Sequence, residues 1–357
     1  MKLIIDAMGG DNAPLEIVKG ALSGQKRWGV DVTLTGDTTA ILQALEACGE
    51  KTLPQGMEIV HTTETVEMCD DPATVFRRKK DTSMGVGLTM LRDGRADAMV
   101  SAGSTGALLT GATLIVKRIR GIRRAAMAPV IPTTTGQAVL IDCGANAECT
   151  PEYLVQFAYL GSYYAHRVLG VERPRVGLLN IGTEDSKGTD LQKETLRWLR
   201  EAHTAGHLNF IGNIEAKEAI KGGCDVIVCD GFSGNVLLKT IEGTAKTLMR
   251  NLKAALMSTA LSKVGALLVK GPLGALKEKM SPDTYGGTPL LGVKGAVIVG
   301  HGSSNETAVK NGIAVAAATV RAHVPEVIAE RVAAAPASAS ATVGAEEKGE
   351  AAVSDAR

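Results

Sequence analysis

Six times along this chain a short apolar run ends in a loop of small and polar residues, and this recurrence limits the fold more than any other feature. Leu3-Ile4-Ile5 leads into Asp6-Ala7-Met8-Gly9-Gly10-Asp11, and Ala98-Met99-Val100 leads into Ser101-Ala102-Gly103-Ser104-Thr105-Gly106. Val139-Leu140-Ile141 precedes Asp142-Cys143-Gly144-Ala145-Asn146, and Val176-Gly177-Leu178-Leu179 precedes Asn180-Ile181-Gly182-Thr183-Glu184. Val226-Ile227-Val228 runs into Cys229-Asp230-Gly231-Phe232-Ser233-Gly234-Asn235, and Ala296-Val297-Ile298-Val299 into Gly300-His301-Gly302-Ser303-Ser304-Asn305. Runs that are apolar throughout, rather than alternating, imply strands buried on both faces, hence an α/β fold with a mostly parallel sheet covered by helices. In such a sheet ligands bind beyond the carboxyl ends of the strands. The expectation is one crevice onto which six loops converge. Gly and Asp in a single loop need mean no more than a turn, but plain turns do not also call for Asn, Lys and His.

The remaining chain narrows the class. Apolar residues make up 45% and aromatics 3%, and the net charge is +1, so nothing marks a general polyanion binder or an aromatic platform for nucleic acid. The six cysteines, Cys48, Cys69, Cys143, Cys149, Cys224 and Cys229, form no C-x-x-C pair, which fits scattered reduced thiols. The chain opens directly on an apolar strand with no signal-peptide pattern, and no apolar run reaches the roughly 18 residues of a membrane span. Residues 1–332 read as one α/β domain. From about Val236 to Met280 the rhythm changes to a Leu-rich, Lys-studded stretch, read as a helical pair broken near Gly271-Pro272 that projects from the domain. Residues 333–357 are rich in Ala, Ser and Glu without apolar periodicity, and are expected to be disordered.

Backbone N–H groups at helix N-termini bind anions, and small residues let the anion approach. Several such ends around one crevice point to a phosphate or an oxyanion. Residues 182–189 resemble a P-loop, but Lys187 precedes Gly188 where the nucleotide motif has Gly before Lys, and no G-x-G-x-x-G follows the first strand, so neither ATP nor NAD is supported. Lys187 reads as a cation for phosphate or as a solvated surface lysine. His301 reads as an acid/base group or as a cap beside Ser303. Cys143 has no base placed near it and is better read as a small buried residue. Asp6, Asp11 and Asp230 sit in separate loops without ligand spacing, so helix capping is favoured over a metal.

Taken together, these motifs resemble the phosphate acyltransferase family of bacterial glycerolipid synthesis. The resemblance rests on residues 6–11, on Arg78-Lys79-Lys80-Asp81-Thr82-Ser83-Met84, on residues 96–103, 142–146 and 180–182 with Lys187-Gly188, on residues 231–235, and on 301–304. It spans about Met1 to Val324. The family usually has Asn where Ser104 stands and Arg-Pro-Ala where Arg124-Ala125-Ala126 stands; neither change removes a charged group. The resemblance implies a Rossmann-like three-layer α/β/α fold, a homodimer, and transfer of a long-chain acyl group from acyl carrier protein to inorganic phosphate; a short-chain phosphotransacetylase and a non-catalytic membrane-docking regulatory domain are the alternatives, and no cofactor, metal or nucleic acid is expected. It also implies a cytoplasmic protein held peripherally at the inner face of the cell membrane, with a downstream glycerol-3-phosphate acyltransferase consuming the product.

On that basis Lys187, Asn180 and His301 are expected to act in catalysis. Asp6, Gly9, Gly10, Asp11, Ser101, Gly103, Ser104, Thr105, Gly106, Asp142, Gly144, Asn146, Gly231, Asn235 and Ser303 are expected to bind phosphate or substrate. An acidic carrier calls for a basic docking patch. The candidates are Arg77, Arg78, Lys79 and Lys80, or Lys117, Arg118, Arg120, Arg123 and Arg124, with a merely solvated face as the bland reading of either. Leu267, Leu268, Val269, Leu273 and Leu276 form an apolar tip flanked by Lys263, Lys270, Lys277 and Lys279, suited to insertion among acyl chains or to a dimer interface.

Overall fold

Each of the six apolar runs is a strand, but the six are divided between two sheets. The structure, a computed structural model, describes residues 1–334; the rest of the expected tail lies outside the described residues. The first part of the chain runs β1 (Lys2–Asp6), α1 (Leu15–Trp28), β2 (Asp31–Gly36), α2 (Thr38–Ala47), β3 (Met57–His61), α3 (Val75–Arg78), α4 (Ser83–Arg92), β4 (Ala98–Ser101) and α5 (Thr105–Gly111), which continues into a π-helical turn, Ala112–Lys117. Next come β5 (Ala126–Met127), β6 (Val130–Pro132), β7 (Gln137–Ile141), α6 (Pro151–Arg167), β8 (Arg175–Leu179), α7 (Asp190–Thr204), β9 (Asn209–Ile214), α8 (Ala216–Lys221) and β10 (Val226–Val228). The last part is α9 (Gly231–Leu256), α10 (Ala260–Leu268), α11 (Lys270–Met280), α12 (Pro282–Tyr285), β11 (Thr288–Leu291), β12 (Ala296–Val299), α13 (Glu306–Arg321) and α14 (Val324–Ala334).

The first sheet has seven strands in the order β3-β2-β1-β4-β12-β11-β5, and the second has five in the order β6-β7-β10-β8-β9. Pairing is parallel except at β11, which is antiparallel to β12 and β5, and at β6, antiparallel to β7. Each sheet is covered on both faces. Buried Ile17, Val18 and Ala21 of α1 meet Val309, Ile313 and Ala316 of α13 on one side of the first sheet, while Met84 and Leu88 of α4 pack with Leu108 on the other. In the second sheet, Leu154, Phe157 and Leu160 of α6 cover one face, and Ala219 of α8 with Cys229 covers the other. The single sheet expected is therefore corrected to two, each carrying three of the six loops at the carboxyl ends of its strands. Periodicity reports that a strand is buried on both faces; it carries no information on which strands pair.

The expected helical pair is three helices. α9 alone has 26 residues, about 39 Å at helical rise. The chain breaks at Met257 and again at Val269, not at Gly271-Pro272. Pro272 falls in the first turn of α11, where a missing N–H costs nothing because that group has no partner within the helix. Among the described residues α9 buries only Gly231, Gly234 and Ala245, and α10 buries none.

Candidate active site

On the first sheet β1, β4 and β12 are neighbours, so the loops after them share one rim. Asp6 is 1% exposed, and its carboxylate accepts the Ser101 hydroxyl at 2.6 Å. The same hydroxyl oxygen accepts the Gly103 amide at 3.2 Å. Gly9 closes over this pair, where a Cβ would stand 2.6 Å from Asp6 Oδ2 and 2.8 Å from the Gly103 nitrogen, so only glycine fits. The Asp11 amide donates to the Gly302 carbonyl at 2.7 Å, and Asn12 Nδ2 donates to the carbonyls of Ser303 and Ser304 at 3.3 and 3.2 Å. Ser104 caps α5 by accepting the Ala107 amide at 3.4 Å, while Gly106 faces Pro72. His301 is exposed; its Nδ1 accepts the Ser303 amide at 3.2 Å and lies 2.8 Å from Ser303 Oγ. With Nδ1 acting as acceptor, the neutral ring carries its proton on Nε2. Asp6 and Ser101 are thus the frame of this rim, and His301, Ser303, Asp11 and Thr105 are its exposed side chains.

Burial pushes the Asp6 carboxyl above its ordinary value, and bonds from Ser101 and Ser83 only partly offset that push. A carboxyl raised in the folded state contributes most to stability at acid pH and loses that contribution as pH rises through the raised value. Asp6→Asn keeps the shape and can still pair with Ser101. Its Tm, relative to the parent's, should therefore improve as pH is raised from about 4, the ordinary aspartate range. A Tm difference that stays flat over that range would refute the account of Asp6.

On the second sheet β7 and β10 are adjacent, and Asp142 organises the space beyond them. It is fully buried. Its Oδ1 accepts the amides of Met127, Cys143 and Ala145 at 2.9, 2.6 and 3.3 Å. Its Oδ2 accepts the Asn146 amide at 2.6 Å and Asn146 Nδ2 at 2.9 Å. Burial pushes this carboxyl upward as well, against the pull of those N–H donors. Asn146 Nδ2 also reaches the Ala125 carbonyl at 2.8 Å, and the Gly231 amide donates to the Asn146 carbonyl at 2.8 Å. Gly231 has no room for a side chain, since a Cβ would sit 2.8 Å from Asp142 Oδ2. Asp230 caps α9 by accepting the Ser233 amide at 2.8 Å. Gly144 and Asn235 are exposed and adjacent, a Cβ on Gly144 lying 3.8 Å from the Asn235 amide carbon. Asp142 thus shapes the loop, and the groups left facing outward are its backbone and Asn235.

Beside this rim stands the loop after β8, held from within. Asn180 Oδ1 accepts the Ile181 amide at 2.8 Å, and Asn180 Nδ2 donates to the Lys187 carbonyl at 3.2 Å. The Lys187 amide donates to the Glu184 carbonyl at 3.1 Å. Gly188 takes φ +87° against the Asn180 side chain, a conformation that suits glycine. Lys187 projects outward, 46% exposed, with Glu184 as a loose partner at 3.9 Å. Asn180 therefore scaffolds the loop, and Lys187 is the cation the loop presents.

The structure thus gathers Asp6, Gly9, Gly10, Asp11, Ser101, Gly103, Ser104, His301 and Ser303 at one rim, and Asp142, Gly144, Asn146, Gly231 and Asn235 at the other, with Lys187 and Asn180 in the loop next to the second. Two residues escaped the sequence reading. Asn12 ties the first and last loops together, and Asn213 on β9 donates to the Glu184 carbonyl at 3.1 Å. A polar Asn between Gly212 and Ile214, late in the strand β9, was the available signal for Asn213. Among the described residues no group of three His, Cys, Asp or Glu side chains could hold a metal ion.

Two mostly parallel sheets, each covered by helices and carrying loops at the carboxyl ends of its strands, define an α/β fold of the phosphotransacetylase type. The fold is similar to a phosphotransacetylase from Streptococcus pyogenes, with a TM-score of 0.60 and 18% identity, covering 90% of this chain and 94% of that one. It is also similar to a 4-hydroxythreonine-4-phosphate dehydrogenase from Klebsiella pneumoniae, with a TM-score of 0.54 and 12% identity over 91% of this chain and 99% of that one. The family model described as fatty acid synthesis protein matches residues 1–327, and the chain belongs to that family. Its relatives include the phosphate acyltransferase of Clostridioides difficile (strain 630), 46% identical over 88% of this chain and 91% of its own length. That of Brevibacillus brevis is 47% identical over 92% and 96%, and that of Halalkalibacterium halodurans 45% over 98% and 100%. The family read from the ordered motifs is the one found.

Proposed function

We propose that this protein is a phosphate acyltransferase that makes acyl phosphate from a long-chain acyl-carrier thioester and inorganic phosphate, for phospholipid synthesis. The observation that carries the reading is 45–47% identity, along nearly the whole chain, to relatives that bear this name. A phosphate oxygen attacks the thioester carbonyl carbon; the C–O bond forms and the carbonyl electron pair moves onto its oxygen. Collapse of that intermediate breaks the C–S bond, and the carrier thiolate leaves with the proton that phosphate gives up. Phosphate is already a nucleophile at neutral pH, so the protein mainly orients the reactants and stabilises the oxyanion. Lys187 neutralises the phosphate. The amides of Ser104, Thr105 and Gly106 and of Gly144 receive phosphate or the oxyanion, those of Gly103, Ala145 and Asn146 being turned inward to Ser101 and Asp142; Asn235 orients the thioester from a place fixed by Gly231 and Asp142, and Asn180 sets the loop that carries Lys187. The Nε2–H of His301 relays the proton to sulfur.

Direct attack by phosphate is supported over an acyl-enzyme on cysteine. Burial pushes the thiols of Cys143 and Cys149 up to about 12, so neither is a ready thiolate. The test is to mix the protein with long-chain acyl carrier protein and phosphate and to look for acyl phosphate. Its formation, dependent on phosphate, is the expected result; ligand binding without turnover would mark a docking domain instead.

The protein works as a homodimer at the inner membrane surface in this proposal, and hands its product to a glycerol-3-phosphate acyltransferase. Support for pairing comes from Leu248, 57% exposed on α9, a helix of 26 residues that buries only three of them among the described residues. Support for the membrane comes from Leu261, Leu267 and Leu268, which are 83%, 72% and 80% exposed beside Lys263 and Lys270. No single helix among the described residues is long and apolar enough to cross a membrane. Replacing Leu268 and Leu273 with Glu should abolish sedimentation with anionic vesicles and leave the dimer intact. Monomerisation of the variant, with no vesicle binding by the parent dimer, would reassign the tip to the dimer interface.

A further inference from the structure

Of the two basic runs in the sequence, the structure leaves one charge-balanced and the other exposed. Lys79 is paired with Asp70 at 2.7 Å, and Arg78 donates to Thr74 Oγ1 at 2.7 Å. Glu64, Glu67, Asp70, Asp71 and Asp81 crowd the same segment, so residues 77–80 give little net field. Residues 117–124 differ. Ile119 and Ile122 are 4% and 6% exposed and anchor the loop, while Lys117, Arg118, Arg120 and Lys294 are exposed and in no ion pair among the described residues. Backbone bonds stiffen this surface: the Ile119 amide donates to the Gly292 carbonyl at 3.0 Å, and the Lys294 amide to the Lys117 carbonyl at 2.9 Å.

This basic loop abuts the second rim of the candidate site. The Arg123 amide donates to Gln156 Oε1 at 2.8 Å, Gln156 Nε2 donates to the Gly121 carbonyl at 3.0 Å, and Arg123 pairs with Glu152 at 3.1 Å, all on α6, which follows directly from the Asp142 loop. The Arg124 guanidinium lies 5.6 Å above the Tyr153 ring, and the next carbonyl, that of Ala125, receives Asn146 Nδ2. We infer that residues 117–124, together with Lys294, are the docking surface for the acidic carrier protein that brings the acyl thioester to this rim.

The inference rests on the acyl-transfer reading. An anionic membrane would also be drawn to this charge, but the loop turns both isoleucines inward, and the exposed leucines of α10 lie on a different part of the chain. Leu114, one helical turn before Lys117, is 58% exposed and supplies the apolar contact that a protein interface needs. Rim charges of this kind act on encounter more than on chemistry, and salt screens them.

The test compares the parent with a double variant, Arg120→Glu with Lys294→Glu, at low and high ionic strength. KM for the acyl-carrier thioester should rise about tenfold at low salt, kcat at saturating carrier should hold, and the difference should fade near 0.5 M salt, where the screening length falls to roughly 4 Å. Arg77→Glu with Lys80→Glu should leave KM unchanged. The inference is overturned if KM of the first variant stays at the parent value, if kcat falls in place of KM, or if the second variant shows the larger effect. Loss of anionic-vesicle binding with unaltered carrier kinetics would also overturn it and assign the loop to the membrane. With acyl phosphate formed by the parent and no change in KM, the docking surface fails while the acyl-transfer reading stands.

Discussion

Lys187→Ala should lower turnover about a hundredfold while leaving the fold and Tm nearly unchanged. The side chain projects from a loop whose shape is set by other groups: Asn180 holds the Lys187 carbonyl, Asn213 the Glu184 carbonyl, and Thr189 caps α7 with Gln192. Its one ion pair, with Glu184 at 3.9 Å, joins two exposed side chains, and pairs of that kind contribute little. What the lysine offers a bound phosphate is a charge-assisted contact, about 2–3 kcal/mol, or roughly a hundredfold in rate where it strengthens in the transition state. Initial rates with acyl-carrier thioester and phosphate, beside a thermal melt, give the answer. A folded variant within threefold of the parent rate would remove Lys187 from the mechanism.

Asp142→Ala should show the opposite pattern, losing stability and activity together. Removing the carboxylate strands the N–H groups of Met127, Cys143, Ala145 and Asn146, the Cys143 group buried and the others half-buried. Each unpaired buried donor costs about 1–3 kcal/mol, so a total loss of at least about 4 kcal/mol is expected after partial relaxation. That corresponds to a drop in Tm of roughly 6 °C. Asp142→Asn is the informative companion. It can keep the oxygen that serves Met127, Cys143 and Ala145, but sets an amide against the two donors of Asn146. It should fall between the parent and the alanine variant in Tm, and lose most activity because Asn146 and Gly231 lose their common anchor. An alanine variant as stable as the parent would show that this loop does not depend on the carboxylate.

These two residues mark the boundary between what a sequence can say and what it cannot. The alternation of apolar run, small-residue loop and helix determined the α/β class, because a strand apolar on both sides can only be buried on both sides. The ordered motifs at residues 6–11, 142–146, 231–235 and 301–304 determined the family. Gly9 and Gly231 were legible as glycines that something needed, since small residues at strand ends admit a close neighbour. Side-chain roles were not legible. Asp6 and Asp142 read as ligand-binding acids, and the structure turns both inward as acceptors that build their loops. Asn12 and Asn213 drew no attention, and they hold the first rim and the lysine loop. The two basic runs looked alike, yet one meets its own acids while the other is carried on buried isoleucines beside the second rim. Pairing of β4 with β1 and β12, and of β10 with β7 and β8, joins residues far apart in the chain and was decided only on folding. Local pattern reports whether a segment is buried. Its partner, and the direction in which a polar side chain then points, depend on contacts across the whole chain, which only the tertiary structure supplies.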